Sequence, residues 1–287
     1  MLFGVTTMTF FHRPILEALE LIKSSGFDCA EIWADHAWDE AKGASTADLR
    51  EALTSLDLQS TIHCPIMDIS ITSPNKGIRE ESLRQTFQAI DLARDLGSRL
   101  IVIHPGSRFS VLENPESHWA LQIDSMRRVL DYAKEQAVLA TVENMDSDKD
   151  VVSVKYWDDL NRLFGDLDSN EKWVTLDVTH IRDTEQVLDF IDKGALHIAH
   201  LHLSDGSAEK MHLQIGKGDL DLRRIVSSLR ESGYGGVWSL ECFIAENNQE
   251  KMGEELLRAR SLFEENSAKN RLESAKDGRE ARGNIEG

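Results

Sequence analysis

The chain has 287 residues, 41% of them hydrophobic, which is enough to bury one full core. Its 32 basic and 50 acidic residues give a net charge of −18, a balance that repels nucleic acid and anionic membrane at long range. Three cysteines, Cys29, Cys64 and Cys242, are an odd number without paired-finger spacing, which argues against a disulfide framework or a zinc ribbon, and no apolar run approaches membrane-spanning length. The opening MLFGVTTMTF lacks a basic lead and reads as a first strand, so a cytoplasmic protein is expected.

From Leu2 to about Phe263, strand-like and helix-like segments alternate. LFGVTT is followed by HRPILEALELIKSSG, whose Ile15, Leu16, Leu19 and Ile22 recur at helical spacing and whose Gly26 closes the helix. CAEIW predicts a second strand and STADLREALTSLDL a second helix, N-capped by Ser45 or Thr46. STIHCP then leads to GIREESLRQTFQAIDLARDLG, LIVIHPG to HWALQIDSMRRVLDYAKEQA, and LATVEN to VKYWDDLNRLFGDL. The last pairs are WVTLDV with DTEQVLDFIDKG, IAHLHLSD with DLDLRRIVSSLRESG, and VWSLEC with QEKMGEELLRARSLFEE. Eight such units predict an α/β protein, a single-domain (β/α)8 TIM barrel over residues 1–263. An open, doubly wound sheet is the alternative, but no strand runs into a glycine-rich dinucleotide fingerprint. Residues 264–287 are polar and charged, with five basic and five acidic residues from Glu265 onward, and are expected to form a disordered tail or a frayed helix end.

Six of the strands end in a side chain able to bind a metal: His63, His104, Glu143, Asp177 (with His180 three residues on), His202 and Glu241. In such a barrel the C-terminal strand ends converge over one mouth, so these residues describe a ring around one pocket. Strand alternation also turns the residues two positions earlier inward, namely Thr61, Val102, Thr141, Thr175, His200 and Ser239. All but Val102 carry a hydroxyl or imidazole where a purely structural barrel would place Val, Ile or Leu, and such a layer suits hydrogen bonding to metal ligands above it. The mixture of carboxylate and imidazole suits a divalent metal, Mn²⁺, Zn²⁺, Co²⁺ or Mg²⁺. Arg108, Lys210 and Lys217 lie just past strand ends, where they could hold a substrate phosphate or remain solvated loop charges. Trp33, Trp38 and Phe109 are candidates for lining a substrate pocket, whereas His12, His36, His118 and His197 read as surface or core residues.

The order HPGS, ENM, DVTH, HLHLSD, GKGD and LEC resembles that of the xylose isomerase-like TIM barrels, a superfamily holding sugar isomerases and epimerases and the endonuclease IV type of apurinic endonuclease. The likeness spans roughly residues 1–263, and its strongest motif is the D-x-x-H at Asp177 and His180. It implies a metal-dependent isomerase or epimerase of a small sugar, sugar phosphate or related hydroxy-ketone, with one divalent cation on Glu143, Asp177, His202 and Glu241. Glu143 and Glu241 would be the acid/base pair, moving a proton through a metal-stabilised enediolate, and His180 would hold a substrate hydroxyl. In the endonuclease branch the matching positions add His63 and His104 for one ion and His180 with His212 for another. Lys210 stands where that branch has an aspartate, which puts a full three-ion cluster in doubt. His212 then joins His180, Arg108 and Lys217 as a substrate-binding candidate. A two-metal phosphodiesterase bridged by Glu143 is the alternative function. The expected partner is a sugar-like small molecule, since loops such as MDISITSPNKG have few of the basic residues a nucleic-acid enzyme needs.

Overall fold

A computed structural model describes residues 1–169, 171–244 and 248–263, so the tail expected over 264–287 lies outside the described residues. β1 (Leu2–Thr6), β2 (Cys29–Trp33), β3 (Gln59–His63), β4 (Ile101–Ile103), β5 (Ala140–Glu143), β6 (Val174–Asp177), β7 (Ile198–Leu203) and β8 (Val237–Leu240) pair in parallel in chain order. β8 pairs back onto β1 through Leu2↔Val237 to Val5↔Leu240, which closes the cylinder and leaves no edge. The expected (β/α)8 barrel is the observed fold.

Helices α1 (Ile15–Ser24), α2 (Ala34–Ala37), α3 (Thr46–Ser55), α4 (Lys76–Leu96), α5 (Pro115–Glu135), α6 (Trp157–Asp166), α7 (Thr184–Gly194) and α8 (Leu222–Glu231) surround it, followed by α9 over 249–263. Each predicted crossover helix is present. The short α2 and the 3-10 turns Thr7–Phe10 and Ala195–His197 are additions that no periodicity announced, because a single turn shows no repeat. Ser45, not Thr46, caps α3 by accepting the Asp48 N–H, and Gly26 after α1 and Gly97 after α4 take positive φ of 95° and 65°.

Each strand is buried on both faces, for different reasons. Outward-pointing Val5, Ile32, Ile62, Ile103, Val142, Leu176, Leu203 and Leu240 pack in one apolar cluster with the inner stripes of the helices, such as Leu19 and Ile22 of α1 or Leu83 and Ile90 of α4. Inward-pointing Thr61, Val102, Thr141, Thr175, His200 and Ser239 are all 0% exposed, and Thr141 and Thr175 share a hydrogen bond of 2.7 Å. The barrel thus holds a buried polar layer directly beneath its C-terminal mouth. The three cysteines are free and buried, and among the described residues no helix is long and apolar enough to cross a membrane.

Gly106, in the turn just past His104, has φ of 88°, and a β-carbon there would sit 2.6 Å from Thr72 Cγ2. Replacing Gly106 by Ala is expected to lower the unfolding free energy by about 2 kcal/mol in a urea titration. An unchanged midpoint would contradict the tight turn.

Candidate metal centre

The turns after β5 and β6 are built by the same residues that face the mouth. Asp177, the last residue of β6, uses Oδ1 to accept from the backbone N–H groups of Thr179 (2.7 Å) and His180 (3.1 Å) and from the Thr179 hydroxyl (2.9 Å). That turn explains the D-x-x-H spacing, since one carboxylate oxygen folds the chain and so delivers His180 beside the other. Asn144, next after β5, clamps the two strand ends: its Nδ2 donates to Asp177 O (3.0 Å) and its Oδ1 accepts Asp177 N–H (2.8 Å). Its carbonyl also lies 2.7 Å from His180 Nδ1, which fixes that ring.

Four strand ends then converge. His202 Nδ1 lies 2.7 Å from Glu241 Oε2, 3.2 Å from Glu143 Oε1 and 3.7 Å from Asp177 Oδ2. One atom from each of Glu143, Asp177, His202 and Glu241 falls within 4.8 Å of the others. Burial alone would raise the Glu241 carboxyl, but the adjacent His202 imidazole outweighs it and holds the group at about 2. Glu143 also sits well below the usual carboxylate range, because His202 and His104 overcome the cost of burial. Burial works on His202 in the opposite sense, and the carboxylates of Glu241, Glu31 and Glu143 more than reverse it, pushing the imidazole well above its ordinary range.

These residues suit a divalent cation. Glu143 Oε2, Asp177 Oδ2 and Glu241 Oε2 are buried and accept no hydrogen bond of good geometry. Unpaired buried anionic oxygens cost several kcal/mol, and a cation among them removes that cost. Carboxylate oxygens with a single imidazole nitrogen are the donors of hard or borderline divalent metals rather than of copper(I) or iron–sulfur clusters.

His63 and His104 approach Glu143 from the other side, with Nε2 3.6 and 3.0 Å from its Oε2, and these three residues form a second group of possible ligands. His180 and His212 meet with ring centroids 5.4 Å apart, and His212 Nδ1 lies 3.0 Å from the Glu241 carbonyl. The β7–α8 loop carrying His212 is organised by Asp205, whose carboxylate accepts from Gly206 (2.8 Å), Gly216 (2.9 Å) and Leu220 (3.3 Å) N–H groups. Lys210 and Lys217 are exposed on that loop. Arg108 lines a cavity beside His104, and its guanidinium donates to the backbone carbonyls of Val111, Glu113 and Asp150, tying the β4 loop to the β5 loop. A cavity of about 370 Å³ opens beside His104, lined by Ile66, Ile69, Ile103 and Val152, with Phe109 at its rim. Trp33 is buried against Phe11, with ring centroids 5.0 Å apart, and Trp38 is partly exposed.

Two residues at the centre escaped the sequence reading, Asn144 and Glu31. Glu31 on β2 is wholly buried, with Oε2 2.5 Å from His200 Nε2 and Oε1 2.9 Å from His202 Nε2. An acidic residue inside the otherwise apolar CAEIW was the available signal. Its register opposite Thr61 puts it in the inward layer.

Comparison with known proteins agrees with this architecture. The xylose isomerase-like TIM barrel family model matches residues 19–262. The L-ribulose-5-phosphate 3-epimerase UlaE of Escherichia coli (strain K12 / DH10B) is 23% identical over 266 residues, covering 88% of this chain and 90% of its own length. Among solved structures, a D-tagatose 3-epimerase-like protein superposes with a TM-score of 0.78 at 24% identity, covering 92% of this chain and 99% of that one. The IolI protein, solved with a bound zinc atom, superposes at 0.74 with 18% identity, covering 92% and 96%. With most of its length matched and the closed barrel in place, the chain belongs to the xylose isomerase-like TIM barrel family.

Proposed function

We propose that the chain is a divalent-metal-dependent epimerase or isomerase of a small sugar, sugar phosphate or related hydroxy-ketone. The observation that carries this reading is the set of buried carboxylate oxygens of Glu143, Asp177 and Glu241, none with a well-directed hydrogen bond, gathered around His202 Nδ1. The epimerase names of its relatives support it. Bound by these residues, Mn²⁺, Zn²⁺, Co²⁺ or Mg²⁺ would supply Lewis-acid polarisation of a substrate carbonyl. Glu143 and Glu241, on separate strands, would then take the proton from the carbon beside that carbonyl and return one from the other side. His180 and His212 each turn Nδ1 to a backbone carbonyl, which leaves Nε2 to accept a hydrogen bond from a substrate hydroxyl. The free, buried thiols of Cys29, Cys64 and Cys242 support a cytoplasmic setting.

A second reading rests on His63 and His104. With Glu143 they would hold another cation, giving a two-metal phosphodiesterase. Incubation with an abasic-site duplex and Zn²⁺ or Mn²⁺ decides between the two: incision favours the phosphodiesterase, and intact duplex alongside sugar turnover retires it.

Proton exchange tests the first reading. Mn²⁺-loaded protein is expected to exchange a carbon-bound proton of a ketohexose or a pentulose 5-phosphate with deuterated water. Glu241→Gln should slow that exchange by about a thousandfold with the fold intact by circular dichroism. Exchange at the wild-type rate would refute the role of Glu241.

Removing metal should cost stability. Because the cation stabilises only the folded state, Mn²⁺ at about 100 times its Kd is expected to raise the melting temperature by about 5–10 °C over protein in EDTA. Identical melting in both would count against an ion at this cluster.

A further inference from the structure

We infer that Glu31 is a positioning residue that sets which nitrogen of His202 faces the metal. The inference rests on the metal reading proposed above and concerns the layer beneath it. His202 is wholly buried, with its two nitrogens in different company. Nδ1 looks up at Glu241, Glu143 and Asp177, at 2.7, 3.2 and 3.7 Å, while Nε2 looks down at Glu31 Oε1, 2.9 Å away. A metal ligand must offer a lone pair, so a cation among the upper carboxylates would take Nδ1 without its proton and leave the ring's one proton on Nε2, facing a carboxylate that can only accept.

The rest of the layer holds Glu31 in place. Its second oxygen is 2.5 Å from His200 Nε2, and the Thr61 hydroxyl donates to it at 3.5 Å. The rings of His200 and His202 stand nearly perpendicular, at 85° with centroids 5.2 Å apart, so the two imidazoles reach the carboxylate from different directions. Without this anchor His202 could turn its ring over or exchange tautomers. The first would point the Cδ2–H, and the second the Nδ1–H, at the cation.

Charge separates this lower group from the one above. Glu31, His200 and His202 also lie close enough to share an ion. Here, however, a single carboxylate faces two imidazoles, with Oε2 hydrogen-bonded to His200 and Oε1 2.9 Å from His202 Nε2, so the group carries one negative charge against two nitrogens. Above, three carboxylates crowd one imidazole nitrogen and leave an anionic excess. The lower group therefore serves as a support, and the cation belongs to the upper one. Carboxylate–histidine–metal arrangements of this kind fix ring orientation and raise ligand basicity, and losing the carboxylate costs about 10- to 100-fold in metal affinity.

Co²⁺ titration of the full chain, followed in the visible d–d bands, tests this directly. Glu31→Gln keeps the shape and removes the charge, whereas Glu31→Asp keeps the charge and withdraws it by one methylene. Both, folded by circular dichroism, are expected to bind Co²⁺ about 10- to 100-fold more weakly than wild type, with an altered band envelope. A merely structural Glu31 would lower the melting temperature of the metal-free protein and leave Co²⁺ affinity and spectrum unchanged. That result in either variant overturns the inference. A second measurement needs no variant: in Zn²⁺-loaded wild type, long-range ¹H–¹⁵N correlations should show the ligating histidine coordinated through Nδ1 with its proton on Nε2. Coordination through Nε2 would overturn it equally. Wild-type protein that takes up neither metal would instead bring down the proposed function itself.

Discussion

The structure turns on one electrostatic problem, three largely buried carboxylates brought together around a single imidazole. Two like charges about 4 Å apart repel by about 4 kcal/mol at the effective dielectric of a protein site near the surface, and each carboxylate also loses its hydration. In the metal-free chain, His202 answers part of this by holding its proton, while Glu143 and Glu241 stay ionised against the cost of burial. The remainder is an anionic excess that a divalent cation fits by charge, by donor type and by the oxygens left without donors. Such a site is assembled at the expense of fold stability, and the closure of the barrel brings its strand ends together.

Closure alone does not aim the side chains. Asn144 ties the end of β5 to the end of β6, Asp177 spends one oxygen on its own turn, and Asp205 gathers the loop bearing His212. Glu255 of α9 reaches into the same loop and accepts the Ile215 N–H at 2.5 Å, so the last helix braces the mouth. Beneath them lies the polar layer, with Glu31 and His200 under His202. Side chains at strand ends, held from below by rigid neighbours, keep the placement that a loop would lose to motion.

Much of this was legible in the sequence, because the code is local. A β-branched run that ends in His, Asp or Glu states both that a strand is present and what stands at its end, so His63, His104, Glu143, Asp177, His202 and Glu241 could be named together. The hydroxyls two residues earlier followed from the period of the strand. Glu31 was hidden because β2 ends in Trp33 and not in a possible ligand, so the pattern of strand ends does not lead to the acidic residue two positions back. Asn144 was hidden because an amide becomes a clamp only when a particular neighbouring strand arrives beside it. Arg108 and Lys217 show how loops blur the code. A cation just past a strand end looks the same in sequence whether it meets a substrate, solvent or, as Arg108 does, the backbone of an adjacent loop.

The central claim is that Glu143, Asp177, His202 and Glu241 hold one cation in common. Anomalous diffraction from crystals grown with Mn²⁺ tests it most directly. The account predicts a strong peak within about 2.0–2.3 Å of His202 Nδ1 and of one oxygen from each carboxylate. No peak among these four residues, or one coordinated by His202 Nε2 and Glu31 in the layer below, would contradict it.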